Sequence, residues 1–193
     1  MTRALVTREQ WLDAGIERFG SSGLAGLKVE AMASALGSSK AGFYWYFKSR
    51  LGFEQALFEH WRAQETKRII AVAENAGTPR RKILRLFMEV VHLRRSADFL
   101  FHLRRLARKR RSLARLLEET EAERLDYLAS ILTELGKEEH EAMETAEAIY
   151  HLYLGWYERN QFKRSTPEEI GRLLQIVSVL VGVDLAIDEG AGP

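Results

Sequence analysis

Residues 27–50 of the 193-residue chain read LKVEAMASALGSSKAGFYWYFKSR. Apolar side chains in the first half recur at i, i+3, i+4 and i+7, the spacing of a short helix with one buried face. They are Val29, Met32, Ala33 and Leu36. Gly37 suits the end of that helix because glycine adopts the left-handed conformation at no Cβ cost, and Ser38 or Ser39 can cap a new helix. The stretch therefore predicts two helices joined by a sharp turn.

The second of these helices has an inward and an outward face. Phe43, Tyr46 and Phe47 share the inward face by their i, i+3, i+4 spacing. The outward face carries Lys40, Ala41, Tyr44 and Trp45. A helix, a tight turn and a second helix form the helix-turn-helix plan, whose second helix enters the major groove of DNA. A cation can reach guanine or phosphate, and tyrosine or indole groups can contact phosphates and bases.

The alternative to a DNA-reading head is a buried helical hairpin whose aromatic side chains all belong to a core. The aromatic residues at positions 43–47 point all round a helix that is too short to be enclosed. We therefore expect part of this aromatic set to face outward.

The segment 37–50 resembles the recognition helix and following turn of the tetracycline-repressor (TetR) family of bacterial regulators, and the resemblance in motif covers Thr7 to about Leu57. It implies that Lys40, Ala41, Tyr44 and Trp45 face bases. It also implies that Lys28, Ser39, Gly42, Tyr44, Lys48 and Arg50 touch phosphate or the DNA backbone. Three positions depart from the family pattern: Ser38 replaces an apolar turn residue, Lys28 a capping Ser or Thr, and Arg50 a Lys.

Composition narrows the class of protein. A chain with 46% hydrophobic residues can form one large domain or two smaller ones, and the absence of cysteine excludes disulfides and thiolate sites. The first ten residues are polar rather than signal-like, and the longest nearly apolar run, 176–187, is shorter than the roughly 20 residues that span a bilayer. We expect a cytoplasmic protein without a membrane segment. Net charge is only +2, but residues 1–50 hold seven Lys or Arg against four Asp or Glu.

Helical periodicity and capping signals recur along the whole chain, and no strand pattern or internal repeat accompanies them. They predict an all-α fold of about nine helices, near 8–19, 29–36, 39–47, 50–73, 79–95, 96–108, 112–135, 138–160 and 167–184. We expect a three-helix helix-turn-helix DNA-binding domain at 1–48 and a helical effector-binding and dimerisation domain at 49–193.

Charge is strongly segregated between residues 80 and 147. Residues 80–115 carry thirteen Lys or Arg against two acids, whereas residues 118–147 carry eleven acids against two Lys or Arg. One interpretation is a site for an anionic effector such as an acyl-coenzyme A thioester. The other is two solvated helix faces that neutralise each other within the domain or across a dimer. We favour the second, because the basic residues at positions 104–111 cannot all face one pocket on a helix.

Motifs for catalysis or metal binding are few. Glu89 and His92 have the Glu-x-x-His spacing of di-iron bundles, but those sites need a second such pair and two further carboxylates. We expect no metal, no cofactor and no enzymatic activity, with His92 as a polar group in or beside a pocket. No glycine-rich phosphate loop, nucleophile elbow or zincin motif occurs.

Large aromatic residues on crossing helices, with sparse polar groups among them, predict a pocket for a small, apolar or acyl-type effector. The predicted lining is Trp61, Phe87, Val91, His92, Phe99, Leu103, Tyr127, Tyr150 and Leu154. A densely packed core is the alternative.

Residues 150–157 (YHLYLGWY) are half aromatic, so a helix there must be buried on more than one side. We expect that helix and the one after it to form a two-helix homodimer face, a pairing that the TetR resemblance also implies. The predicted interface residues are Tyr153, Trp156, Leu173, Val177 and Leu180. The alternative is the core of a monomer.

The sequence as a whole predicts a ligand-responsive transcriptional regulator, a repressor in most of this family, that binds a palindromic double-stranded DNA operator as a homodimer. Two alternatives stay open, a ligand-blind architectural DNA-binding protein and a helical enzyme or ligand carrier.

Overall fold

The computed structural model describes residues 6–92, 94–160 and 165–185, and of residues 92 and 94–98 the backbone alone. All regular secondary structure in these ranges is helical, which confirms the predicted all-α fold. The helices are α1 (Arg8–Ser22), α2 (Val29–Ala35), α3 (Lys40–Phe47), α4 (Arg50–Arg62), α5 (Arg68–Glu74), α6 (Pro79–His92), α7 (Arg94–Ala107), α8 (Arg111–Glu134), α9 (Glu139–Asn160) and α10 (Pro167–Val181). None of them is long and apolar enough to cross a membrane.

Capping residues set several helix starts where the sequence predicts them. The Thr7 hydroxyl accepts the Gln10 backbone N–H, and the Gln10 side chain accepts the Thr7 N–H in return. Thr166 and Glu169 form the same reciprocal box at the start of α10, with Pro167 at the first helical position. Each box satisfies two backbone donors that no helical carbonyl can reach.

Helical backbone runs from Arg50 to Glu74, where the sequence predicts one long helix. The run is not uniform, because a π-helical segment, Ala63–Lys67, separates α4 from α5. A π-helical turn holds one more residue than an α-helical turn, so the pattern of side chains shifts there.

Packing divides the chain into two compact units. Unit one comprises residues 1–67 and 94–117, and unit two comprises residues 68–93 and 118–193. In unit one, α1 packs against α4 and α7, with a 3-10 turn, Gly23–Gly26, after α1. The large buried side chains of this unit are Trp11, Phe19, Phe43, Phe53, Phe58, Trp61 and Phe99. The expected domains, 1–48 and 49–193, stay a prediction.

Unit two has its own apolar core. It draws side chains from α6, α8, α9 and α10. The central members are Ile83, Phe87, Ile131, Leu132, Ala142, Ala146, Leu173, Val177 and Val181. Small residues on α9 permit close helix packing, and the branched residues of α10 fill the space beside them.

Candidate nucleic-acid interface

The turn between α2 and α3 is closed by backbone and side-chain hydrogen bonds. Gly37 takes φ 62°, in the region that favours glycine, and the Ser38 N–H donates to Ala33 O at 2.8 Å. The Ser39 hydroxyl then accepts the Gly42 N–H at 3.2 Å and caps α3. The start of α3 is therefore fixed against α2, as a helix-turn-helix requires.

The helix α3 is anchored by one face and exposed on the other. Phe43 and Phe47 are 0% and 5% exposed, and the Phe43 ring lies 5.4 Å from Trp11 between centroids. Tyr44 is 45% exposed and Trp45 is 68% exposed. Lys40 and Ala41 are exposed as well. The aromatic residues of this helix are thus not all core, and the exposed side offers a cation, a small residue, a phenol and an indole.

The cation on this face already has a partner. Lys40 Nζ lies 3.0 Å from Glu30 Oε1, and both side chains are more than half exposed. A backbone hydrogen bond to Glu30 and, after it, the Lys40 ammonium lower the pKa of the Glu30 carboxyl. Sequence spacing did not indicate this pair, because the two residues lie on different helices, outside the i, i+4 rule.

Two further residues predicted to contact DNA are Lys28, before α2, and Gly42, within α3. Lys28 is exposed and sits at the N-cap position of α2 without a side-chain cap hydrogen bond, as expected for a lysine there. At Gly42, a Cβ would come within 3.1 Å of Ser38 Oγ, so a larger residue would push on the turn.

Lys48 has an uncommon backbone conformation. Its φ is 60°, and it is the one non-glycine residue with positive φ in the described ranges. Its N–H donates to Tyr44 O at 3.0 Å and its Nζ donates to Trp45 O at 2.8 Å, so the residue closes α3. Strain of this kind persists only where the surroundings enforce it, and it is common at functional sites.

Arg50 is tied into a hydrogen-bonded cluster that we call the Glu54 junction, formed by Leu24, Arg50, Glu54 and Arg110. Arg50 donates from Nη2 to Leu24 O at 3.0 Å and from Nε to Glu54 Oε1 at 3.2 Å. Arg110 donates from Nη1 to Glu54 Oε2 at 2.6 Å. Glu54 is only 5% exposed, so its charge is compensated by two guanidinium groups. An arginine has five N–H donors, and these two hydrogen bonds use two of them. The Arg50 side chain is half-exposed, so its remaining donors can bind another group.

Neither Glu54 nor Arg110 was predicted from the sequence. Arg50 and Glu54 are spaced i, i+4 on a predicted helix, so the sequence could have indicated that they form an ion pair. Arg110 is 56 residues from Glu54, and nothing local relates the two.

The two units carry opposite charge. Unit one holds 18 Lys or Arg against 8 Asp or Glu, a net +10, and unit two holds 11 against 19, a net −8. The division falls inside α8, between residues 117 and 118. The helix-turn-helix therefore belongs to a unit whose net charge attracts a polyanion.

Residues 12–62 match the family model described as bacterial regulatory proteins, tetR family. This N-terminal region is thus similar to the tetR family. The segment includes α2, α3 and their turn, so the match covers the geometry described above. No curated protein sequence matches the chain.

Solved structures share the fold over nearly the whole chain. E. coli NemR in its reduced form has 20% identity and a TM-score of 0.75, over 94% of this chain and 100% of that one. A transcriptional regulator from Rhodococcus sp. Rha1 has 19% identity and a TM-score of 0.74, over 93% and 96%. A TetR transcription regulator from Haloarcula marismortui ATCC 43049 has 14% identity and a TM-score of 0.71, over 90% and 95%. The likeness in fold to these solved structures thus extends to the C-terminal helices.

Three residues predicted to line the effector pocket lie in unit one. Trp61 and Phe99 stack with centroids 4.9 Å and planes 12° apart, and both are fully buried, as is Leu103. Phe99 also lies 4.5 Å from Phe19 and 5.9 Å from Phe58 between ring centroids. These side chains form a packed aromatic core.

The remaining predicted pocket residues lie in unit two. Phe87 and Val91 are buried in its core, and Leu154 is half-buried. The Tyr150 hydroxyl donates to Glu121 Oε1 at 3.3 Å. A single pocket formed by all nine residues stays a prediction.

Tyr127, also predicted for the pocket, belongs to a polar cluster that was not expected from the sequence. Its hydroxyl donates to Glu74 Oε1 at 2.8 Å, and Lys82 Nζ lies 3.0 Å from Glu74 and 3.2 Å from Glu134. Burial, followed by the hydrogen bond to Glu74, raises the pKa of Tyr127. The same hydrogen bond, followed by that from Lys82, lowers the pKa of Glu74. This cluster joins α5, α6 and α8 within unit two.

The Glu-x-x-His pair is only partly described. The Glu89 carboxylate lies 3.1 Å from guanidinium nitrogens of both Arg68 and Arg85. The His92 side chain lies outside the described residues. Within the described ranges, no group of three His, Asp or Glu side chains is placed to hold a metal ion.

The predicted dimer residues differ in exposure. Leu173 and Val177 are 6% and 4% exposed and pack into the core of their own chain. Tyr153, Trp156 and Leu180 are half-buried. The exposed apolar side chains of α10 are instead Ile176 and Val179, at 48% and 81% exposure, which were not among the predicted interface residues.

Proposed function

We propose that this tetR-family protein is a ligand-responsive repressor that binds a palindromic operator through α3 as a homodimer, in the cytoplasm where bacterial DNA lies. The single observation that carries the proposal is the exposed face of α3, held rigidly by the buried Phe43 and Phe47. A helix presented in this way fits the major groove, which admits one α-helix and displays a distinct pattern for each base pair.

The electrostatics support the same conclusion. The net +10 of unit one supplies sequence-independent attraction for phosphates, and the near-neutral whole chain limits non-specific adhesion. Lys28, Lys48 and Arg50 border α3 and are exposed. They are suited to phosphate contacts, which position the head, whereas Lys40 and Tyr44 are suited to base contacts, which specify sequence.

The dimer is proposed from the exposed side of α10. Ile176 and Val179 are apolar and exposed, and nothing lies within 4 Å of a Cβ added at Gly171 or Gly155. An apolar face with room for close helix approach is what a two-fold partner would cover. A two-fold dimer presents two copies of α3, and half-sites about 34–36 Å apart match one turn of DNA.

The effector is proposed to be a small, apolar or acyl-type molecule bound in the helical C-terminal region. It can release DNA only by its difference in affinity between the DNA-binding conformation and another one. The support is the likeness in fold over nearly the whole chain to solved transcriptional regulators.

The test uses the DNA upstream of the protein's own gene and of its neighbours. Lys40→Ala/Tyr44→Ala should lower affinity for the protected site by about 1–3 kcal/mol for each base that these side chains read, while Lys67→Ala, an exposed charge in the π-helical segment, should not. Equal binding by wild type and the double variant would contradict recognition by α3. A compound panel then tests release: a hit must raise the Tm and weaken DNA binding together, and if no compound does so, DNA binding without a ligand response is the correct description.

A further inference from the structure

A group of cations in unit one has no partner in the described structure. We call it the basic turn: Arg108 and Lys109 after α7, and Arg111 and Arg115 in the first turns of α8. All four side chains are exposed, and none forms an ion pair with the described part of the chain. Their neighbour Arg110 is different, because it is bound to Glu54.

The Glu54 junction fixes where the basic turn lies. Arg110 Nη1 is 2.6 Å from Glu54 Oε2, and Arg50 Nε is 3.2 Å from the other oxygen of the same carboxylate. Consecutive Cα atoms are about 4 Å apart, so Lys109 and Arg111 start within that distance of the Arg110 backbone. Arg110, which adjoins the basic turn in the chain, thus shares the Glu54 carboxylate with Arg50, a residue predicted to contact DNA.

A second contact in unit one joins α7 to the 3-10 turn Gly23–Gly26. A Cβ added at Gly23, in the 3-10 turn that also provides Leu24, would come within 3.0 Å of His102 Nδ1 on α7. At His102, five residues before its end, α7 is therefore packed closely against the same segment whose carbonyl binds Arg50. The Arg110–Glu54 pair and the packing of His102 against Gly23 thus anchor the chain on both sides of Arg108 and Lys109 to the N-terminal helices of unit one.

The chemistry of the basic turn fits an extended polyanion better than a small anion. A small effector is enclosed on most of its surface in a concave site, whereas these four side chains are exposed. Clustered like charges repel one another, and the repulsion is relieved when phosphates replace the solvent around them. A DNA backbone offers one charge for every 1.7 Å or so of duplex, so it can meet several of these side chains together.

We propose that the basic turn binds backbone phosphates of the duplex that flanks the half-site read by α3. The proposal rests on the function proposed above and adds a second contact surface to it. The surface contributes affinity and salt dependence without reading sequence, and it extends the footprint of each protomer beyond the bases that α3 contacts.

The experiment compares two duplexes that carry the footprinted operator. One ends at the bases contacted by the head, and the other extends by about one helical turn on each side. Binding is measured between about 50 and 200 mM salt for wild type, Arg108→Ala/Arg111→Ala, and the control Lys67→Ala/Arg81→Ala. The control removes the same charge from exposed sites, and Lys67 lies about 25 Å along the helical run from Arg50. Circular dichroism and melting verify that all variants remain folded.

On the long duplex, the slope of log K against log salt should fall by about 0.9 for each phosphate that the double variant no longer neutralises. If the double variant loses one phosphate contact per protomer, the dimer loses two. Between about 50 and 200 mM salt, its affinity should then fall by a factor about tenfold smaller than that of wild type. On the short duplex the variant should match wild type. Arg108→Lys/Arg111→Lys should restore the slope, because lysine still binds phosphate as a point charge.

Three outcomes separate the possibilities. A smaller slope on the long duplex alone, with interference by ethylated flanking phosphates in wild type only, supports the basic turn as a DNA contact. Equal slopes for the double variant and its control overturn it while recognition by α3 stands. Failure of wild type to distinguish operator from scrambled DNA overturns both proposals.

Discussion

The Lys40 ammonium and the Glu30 carboxylate lie 3.0 Å apart on the exposed surface of the helix-turn-helix. An exposed ion pair stabilises by only about 0–1 kcal/mol, whereas a bidentate base contact discriminates by about 1–3 kcal/mol. If Lys40 contacts a base as proposed, DNA can therefore displace Glu30 from it. Because the Glu30 carboxylate would compete with phosphates for the Lys40 ammonium, we expect Glu30 to weaken non-specific binding.

Glu30→Gln should raise affinity for scrambled duplex about two- to fivefold, in keeping with the small free energy of an exposed pair, and should reduce discrimination in favour of the operator. Fluorescence anisotropy on both duplexes measures the ratio. Glu17→Gln removes the same charge from an exposed position on α1 and is the matched control. If the two variants change the ratio equally, Glu30 has no specific role.

Lys48→Gly should separate stability from DNA binding. A non-glycine residue at positive φ destabilises the folded chain by roughly 1–2 kcal/mol, and glycine removes this strain. Glycine also makes the unfolded chain more flexible, which offsets part of the gain, so we expect the free energy of unfolding to rise by about 0.5 kcal/mol. Lys48→Ala keeps the unfavourable φ and should show no gain. Both variants should lower the salt slope by about 0.9 for each protomer if Lys48 contacts a phosphate. Urea unfolding and salt titration of DNA binding check the two halves, and a stabilised Ala variant would contradict the strain.

Arg110→Ala should destabilise unit one by about 1–3 kcal/mol, because the 5%-exposed Glu54 carboxylate loses one of its two charged partners. The neighbouring Arg108→Ala should change the free energy of unfolding by less than about 0.5 kcal/mol, since Arg108 is exposed and unpaired in the described structure. Urea denaturation of both variants gives the comparison, and equal effects would mean that the Glu54 junction adds nothing to stability.

Val179→Glu and Leu173→Glu should have different consequences. Val179 is 81% exposed, so a charge there should break the proposed dimer while each chain stays folded. Leu173 is 6% exposed in the core, so a charge there should unfold the chain at a cost of several kcal/mol. Sedimentation gives the oligomeric state and circular dichroism the folding. A Val179→Glu dimer as tight as wild type would place the interface elsewhere.

The hydrogen bond from Tyr127 to Glu74 should add to the free energy of unfolding at neutral pH but not in acid. The folded-state pKa of Glu74 is lowered below its ordinary 4.5, first by Tyr127 and then by Lys82. This contribution is therefore fully present above about pH 4.5 and is lost as the pH falls through the folded-state pKa. Tyr127→Phe should destabilise the protein at neutral pH, and its difference from wild type should shrink in acid. Urea unfolding at several pH values tests this, with Tyr44→Phe as the control, and a pH-independent difference would contradict the linkage.

The helices and the helix-turn-helix were predictable because their causes are local. Thr7 caps α1 through a residue three positions away, and Gly37 and Ser39 shape the turn through atoms within a few residues. The outward position of Tyr44 and Trp45 follows from helical spacing alone. Sequence could reach this part of the candidate site because hydrogen bonds in helices and caps join residues that are near in the chain.

Tertiary structure alone decided the distant partners of several charged and aromatic side chains. Arg110 reaches Glu54 across 56 residues, Lys40 meets Glu30 on another helix, and Trp61 stacks on Phe99 in a packed core. Periodicity shows which face of a helix is apolar, but it does not show which helix covers that face. The sequence by itself thus determined the elements and the outward chemistry of α3. The tertiary structure decided that Arg110 pairs with Glu54 while Arg108 and Arg111 stay exposed, because charge pairing depends on distances that only the folded chain sets.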